Sequence, residues 1–296
     1  MASARRLTIE DAEHGATRFL CEGGDGTPFP ALSWEPDGDP QANVLCIHGL
    51  GGAAADFGPL ARHLAKNGCA VRAVNLRGQG NDPDPSRRGH FLDPKGWRDD
   101  LEEFADAFPH EAPLFVVGES MGSLAAIDSI AHGALRPKRL VLAAPVTQLR
   151  APVLSWLIML VRGGARLLPR ARFGPMRFVH GKTAIPRLTS DDEYMEYLQH
   201  IPHRVGGFTL EFLANFHELM VATRENAARV QVPTLVLSAG RDVFIRPDQS
   251  RAFFEELGAD QKEYLFYPES HHLLWHDVDR ADVLRRITGW ILAAKE

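Results

Sequence analysis

Six short apolar runs recur along the chain from residue 43 onward: NVLCIHG, CAVRAVNLRG, PLFVVGES, RLVLAAPV, PTLVLSAG and KEYLFYPES. Most are separated by stretches with helical patterning, such as DFGPLARHLAKNG and WRDDLEEFADAF. A strand that is apolar at every position must be covered on both faces, and the intervening helices supply the cover. The pattern predicts an α/β fold with a mostly parallel sheet, whose chemistry belongs at the carboxyl ends of the strands. Before it, residues 17–36 carry the turn-rich EGGDGTPFP between two extended stretches, which predicts an opening hairpin.

The rhythm breaks between about Val146 and Gly206, where an apolar helix-like run gives way to RGGARLLPRARFGPMRF and then to the acidic TSDDEYMEYL. The expected organisation is a core formed by residues 1–146 and 207–296, interrupted by a helical cap at 147–206. The segment FTLEFLANFHELMVATRENAARV reads as a long helix leading back into the core.

Composition narrows the class of function. A formal net charge of −5 gives no sign of a nucleic-acid binder, which carries a basic excess. The three cysteines, Cys21, Cys46 and Cys69, are an odd number at spacings unlike a zinc site, so they are expected to be reduced thiols in a cytoplasmic setting. No secretory signal or membrane anchor is visible at the start, and the most apolar run, APVLSWLIMLV, is too short to span a bilayer.

GESMG, residues 118–122, matches G-x-S-x-G where a strand should turn into a helix. Such a turn forces unusual backbone angles on Ser120 and lifts its Oγ over the sheet edge. A serine hydroxyl needs a base, and the base needs an orienting group. Two later strand ends supply these types: Asp242 follows LVLSAG, and His271 and His272 follow YLFYPES, in the chain order Ser, Asp, His. The glycines of CIHGLGG let the backbone bend around a substrate oxygen, so the backbone N–H groups of Leu50 and Met121 are the expected oxyanion donors. His48 in that loop is expected to be structural.

Other chemistries fit less well. HGLGGAA also matches a dinucleotide fingerprint, but the strand that should end in an acid ends in Asn75. No G-K-[ST] follows the glycines, which excludes a phosphate-binding P-loop. His272 and His276 are four apart without the glutamate of H-E-x-x-H, so no metal and no other cofactor is expected. A non-catalytic receptor on the same fold would be expected to lack a triad residue, and none is missing.

Taken together, HGLGG, NLRGQGNDPDPSRRGHF, GESMG, GRDVF and SHHLLWHD resemble the α/β-hydrolase superfamily of serine hydrolases, and within it the monoacylglycerol lipase and lysophospholipase group. The resemblance runs from about Ala42 to the end and places the insertion where that group has its cap. It implies His271 as the base, because the histidine there is followed by x-L-L or x-L. Asn75 and Gln79 depart from the group's second loop, which is not catalytic in the group.

The resemblance implies a cofactor-free serine ester hydrolase for hydrophobic acyl groups of monoacylglycerol or lysophospholipid type, acting through an acyl-enzyme on Ser120. A small-ester carboxylesterase, thioesterase, amidase, C–C bond hydrolase or acyltransferase would use the same triad. Residues 150–190 hold eight Arg or Lys and no Asp or Glu, interleaved with apolar side chains. Trp156, Leu157, Leu160, Phe173 and Met176 are therefore expected to line an acyl pocket, with transient peripheral contact at an anionic membrane.

Overall fold

The computed structural model describes residues 13–109, 111–150, 155–173, 185–201, 203, 205 and 207–293. Ten strands are present among them. The opening hairpin is β1 (Thr17–Glu22) and β2 (Pro28–Trp34). The six apolar runs become β3 (Ala42–Ile47), β4 (Cys69–Val74), β5 (Leu114–Glu119), β6 (Arg139–Ala143), β9 (Thr234–Ala239) and β10 (Lys262–Tyr267). Together they form one sheet in the order β1-β2-β4-β3-β5-β6-β9-β10. The hairpin is antiparallel, β2 runs antiparallel to β4, and the pairs among β3, β4, β5, β6, β9 and β10 are parallel.

The two-residue side-chain period of a strand divides each central run between two cores. Leu45, Ile47 and Val116 point to one side, where Leu124, Phe104, Phe212 and Phe253 pack. Val44, Cys46 and Val117 point to the other, against Leu60, Leu64, Trp275 and Ile287. That is why these strands read as continuous hydrophobic sequence. The edge strand β10 is only partly covered and begins with Lys262 and Glu263, charges that discourage further strand addition. All three cysteines are buried free thiols. Among the described residues no helix is long and apolar enough to cross a membrane.

Between β6 and β9 lie the helices Ser155–Leu167, Asp192–His200 and Leu210–Asn226. A two-residue antiparallel ribbon also forms there, β7 (Arg172–Phe173) with β8 (Phe208–Thr209), which the sequence pattern does not predict. Two residues make too short a run to show any period.

The returning limb of this segment rests on the loop after β4. Thr209 N–H donates to Gly89 O at 2.9 Å. A Cβ at Gly80 would lie 1.8 Å from the His203 carbonyl oxygen, so only glycine allows the two backbones to meet. Gly80→Ala must push the limb away, and we expect a loss of about 1–3 kcal/mol in urea unfolding. A wild-type midpoint in that variant would show that the limb is not tightly seated.

Candidate active site

Ser120 has φ 53° and ψ −116°, immediately before the helix Met121–Ala131. Left-handed φ is costly for a residue with a Cβ and is held only when the surroundings dictate it. Here they do. Ser120 N–H donates to Ala143 O on β6 at 2.8 Å. A Cβ at Gly122 would lie 2.0 Å from Ile47 O, and one at Gly49 would lie 3.0 Å from the Ser120 Cβ. The helix is therefore pressed onto the end of β3, and the serine is presented beside the loop that follows β3.

Asp242 lies in the turn after β9 and is buried. One carboxylate oxygen accepts from the Phe244 and Ile245 backbone N–H groups at 2.8 and 3.2 Å. The other faces His272 Nδ1 at 2.7 Å. The His272 ring meets the Phe244 ring edge-on, with centroids 4.9 Å apart. With Nδ1 committed to the acid, Nε2 is the ring nitrogen free to take a proton. Ser120 follows β5 and Asp242 follows β9, two strand spacings apart. That gap of about 10 Å is one that two reaching side chains and an imidazole between them can close.

This corrects the expectation for His271. Its Nδ1 lies 2.9 Å from Asp277 Oδ2, and its backbone N–H donates to the same oxygen at 2.6 Å. With its ring and its amide both held on Asp277, His271 does not face Asp242, and His272 does. The Leu273-Leu274 pair, used to choose between them, reports packing: Leu274 is fully buried, in the core beside Trp275.

Of the two expected oxyanion donors, Leu50 lies in the loop after β3 and Met121 directly follows Ser120. Met121 opens its helix, so its N–H has no partner within that helix. In the β3 loop Gly51 N–H donates to Gln79 Oε1 at 2.9 Å and Gly52 N–H to Gly49 O at 3.1 Å, while no hydrogen bond from the Leu50 N–H is found among the described residues. His48 is structural: Nε2 accepts from Leu76 N–H at 3.0 Å and Nδ1 faces Gly49 O at 2.8 Å. Burial lowers its pKa to about 4, keeping the ring neutral. The departures from the expected second loop also have work. Asn75 Oδ1 accepts from Ala54 N–H at 3.0 Å, and Gln79 holds Gly51 as above.

The cap residues are placed differently from the expectation. Trp156, Leu157 and Leu160 are 54%, 42% and 62% exposed, so they do not line an enclosed pocket. The helix Ser155–Leu167 turns Ile158, Val161, Gly164 and Ala165 inward, and Leu210 packs closely over Gly164. Apolar residues lie on both of its faces, and composition alone does not distinguish them. The side chain of Phe173 and all of Met176 lie outside the described residues.

A cluster that the sequence reading missed adjoins the β3 loop. Asp56 accepts from Ala53 N–H at 2.8 Å and from the Tyr194 hydroxyl at 3.2 Å. The Tyr194 ring stacks on His276, with centroids 3.6 Å apart. Burial raises the Asp56 carboxyl pKa, against the pull of His203. Burial first, and then Asp56, push Glu119 well above the usual carboxylate range. Gln79 Nε2, Glu119 Oε1, Tyr197 OH and His203 Nε2 are all buried without a hydrogen-bond partner among the described residues. Segments far apart in the chain meet here, which sequence spacing does not reveal.

A separate cleft of about 570 Å³, walled by Leu92, Arg98, Asp128, His132 and Asn215, contains no member of this constellation. Among the described residues no group of His, Cys, Asp or Glu is arranged to hold a metal ion.

Comparison with known proteins identifies what the chain is similar to. The family model described as Hydrolase_4, serine aminopeptidase, S33, matches residues 38–279. Phospholipase YtpA of Bacillus subtilis is 24% identical over 259 residues, covering 86% of this chain and 95% of that protein. A monoacylglycerol lipase of Mycolicibacterium smegmatis is 22% identical over 277 residues, covering 88% and 91%. The crystal structure of a soluble variant of monoglyceride lipase from Saccharomyces cerevisiae, in complex with a substrate analogue, superposes with a TM-score of 0.81 at 20% identity, covering 100% of this chain and 99% of that one.

Two outcomes follow from the site. His272→Ala should abolish labelling of Ser120 by a fluorophosphonate, with a loss on the order of 10⁶ in kcat, whereas His271→Ala should remain labelled. The reverse pattern would return the base to His271. Because Glu119 takes up a proton more readily folded than unfolded, its ionisation opposes folding as pH rises above the unfolded value. Glu119→Gln should therefore match wild-type stability below about pH 4 and gain on it by about 1.4 kcal/mol per pH unit above that, until the folded pKa is reached. A stability difference independent of pH in urea unfolding would show that the Glu119 carboxyl titrates alike in the folded and unfolded chain.

Proposed function

Because the chain belongs to the Hydrolase_4 (serine aminopeptidase, S33) family and is a serine hydrolase of the α/β-hydrolase superfamily, we propose that it hydrolyses carboxylic esters of hydrophobic acyl groups, with monoacylglycerols the leading class. The observation that carries the reading is the 2.7 Å contact of Asp242 with His272 at the sheet edge where Ser120 is held at positive φ. In this reading Ser120 Oγ attacks the acyl carbonyl while His272 Nε2 takes its proton. The resulting imidazolium keeps its Nδ1–H on Asp242, and the backbone N–H groups of Leu50 and Met121 receive the oxyanion. Collapse breaks the ester C–O bond, and His272 returns the proton to the leaving alcohol. Water, deprotonated by the same imidazole, then attacks the acyl carbonyl; the bond to Ser120 Oγ breaks, His272 returns the proton to that oxygen, and the acid is released.

The polar cluster around Asp56 supports a hydroxyl-bearing alcohol as the leaving group. Its unpartnered donors and acceptors suit hydroxyls, and its acidic members, Asp56 and Glu119, suit a neutral polyol better than the phosphate of a lysophospholipid. The curated relatives are a phospholipase and a monoacylglycerol lipase, which favours an ester over the amide implied by the family's description. Residues 147–206 act in this reading as a cap. A small-ester carboxylesterase is the second reading, favoured by the outward placement of Trp156, Leu157 and Leu160.

That outward face has its own use in the proposal. Trp156, Leu157, Met159, Leu160, Leu167 and Leu168 are exposed, and Arg166 and Arg170 lie beside them. An apolar patch with a basic fringe suits transient contact with an anionic lipid surface.

A series of p-nitrophenyl esters from acetate to laurate separates the two readings. The lipid reading expects kcat/KM to rise with chain length, by up to about 0.8 kcal/mol of binding per buried methylene; acetate as the best substrate would leave the small-ester reading. Leu157→Ala with Leu160→Ala should weaken partition to anionic vesicles by roughly tenfold or more while acetate turnover persists. Wild-type binding that ignores salt would remove the electrostatic part of the membrane proposal.

A further inference from the structure

Asp277 is an unusually busy carboxylate. Its side chain is completely buried. Oδ2 accepts from the His271 backbone N–H at 2.6 Å and faces His271 Nδ1 at 2.9 Å. Oδ1 accepts from the Ser190 N–H at 3.1 Å, from the Val278 N–H at 2.8 Å, and from the Ser190 hydroxyl. Five donors thus converge on a group with about four lone-pair sites. Burial by itself would raise its pKa, but these bonds hold the carboxyl below the usual range, so it accepts as a carboxylate.

These donors come from two pieces of chain. His271 precedes the base; Ser190 lies on the limb that returns from the cap. The same two pieces are joined twice more: Leu273 N–H donates to Leu188 O at 3.0 Å, and the Thr189 hydroxyl donates to His276 O at 2.5 Å. His272 is therefore flanked by two tethered amides, one on Asp277 and one on the limb itself. The loop has no helix or strand around His272 to hold it, since β10 ends at Tyr267 and the next short helix begins at Leu274.

We propose that Asp277 is a positioning residue for His272, a buried anchor that ties the base-bearing loop to the returning limb of the cap, so that the imidazole keeps its place only while that limb is seated. The inference rests on the reading of His272 as base. It assigns His271 a role as well: a ring N–H donor to the anchor. Displacement of a catalytic group by about 1 Å costs about 10²-fold in rate, which sets the size of the expected effect.

The test uses the full chain labelled with ¹⁵N-histidine, together with turnover of p-nitrophenyl acetate. In the wild type the His272 Nδ1 proton, hydrogen-bonded to Asp242, should give a sharp downfield resonance. Asp277→Asn replaces an acceptor by an NH₂ that faces other donors. It should broaden that resonance and lower kcat by about 10²-fold with KM within about threefold. His271→Asn retains an N–H near the position of Nδ1 and should keep kcat within about threefold, whereas His271→Leu should lose about tenfold.

Wild-type kcat and resonance in Asp277→Asn would overturn the proposal, as would equal impairment of the two His271 variants. If Asp277→Asn does not fold, Ser190→Ala decides: a broadened resonance with kcat down about threefold to tenfold supports the anchor, and an unchanged resonance and rate reject it. A wild type that shows the resonance but hydrolyses no ester would refute the proposed reaction, while the resonance in the variants would still settle the positioning role.

Discussion

The contact between Asp242 and His272 depends on two loops that follow neighbouring parallel strands, β9 and β10. Neither loop has regular structure at the critical residue, so each is held by its own buried polar bonds. Asp242 receives two backbone amides through one oxygen and keeps the other for the histidine. On its outer side the turn is fixed by Arg150, which donates to the Asp242 carbonyl oxygen at 2.7 Å. A buried acid with both oxygens engaged can orient an imidazole without wandering, because any rotation would strand an amide.

The rest of the fold can be understood as the frame that brings four strand ends to one edge. Side chains alternating between two cores make the sheet a rigid septum. The helix after Ser120 is buried along Met121–Ser129 and is pressed so closely on β3 that glycine alone fits at position 122. Strain at Ser120 is thus sustained by packing that extends well beyond the site. The same closeness recurs at Gly80, where the returning limb meets the loop after β4. The segment between β6 and β9 thus meets the loop after β4 backbone to backbone.

Charge is handled in two ways near the site. Asp242 and Asp277 are both surrounded by donors, and at Asp277 these bonds hold the carboxyl below the usual range. Asp56 and Glu119 are buried where desolvation dominates, which favours the neutral acid. The first pair orients histidines. The second makes a polar but weakly charged wall beside the β3 loop, a surface on which hydroxyl groups can exchange hydrogen bonds without a net ionic partner.

Local sequence determined a great deal here. The six apolar runs are the six parallel strands, since a strand covered on both faces must be apolar at successive positions wherever it lies in the chain. GESMG and the β3 loop carry their geometry in their glycines, and the turn after β9 carries Asp242 in a position set by the strand before it. These are properties of a few consecutive residues. The choice between His271 and His272 was not of this kind: both sit in the same loop, and which one meets Asp242 depends on where Asp277 and the limb at Ser190 pull the backbone. The facing of Trp156, Leu157 and Leu160 was equally undetermined, because a helix apolar on both sides takes its inward face from its neighbour, the helix Leu210–Asn226. The cluster around Asp56 joins residues 79, 119, 194, 197 and 203 by proximity alone. Tertiary structure decided these three features, because each is a contact between segments whose spacing along the chain says nothing of their distance in space.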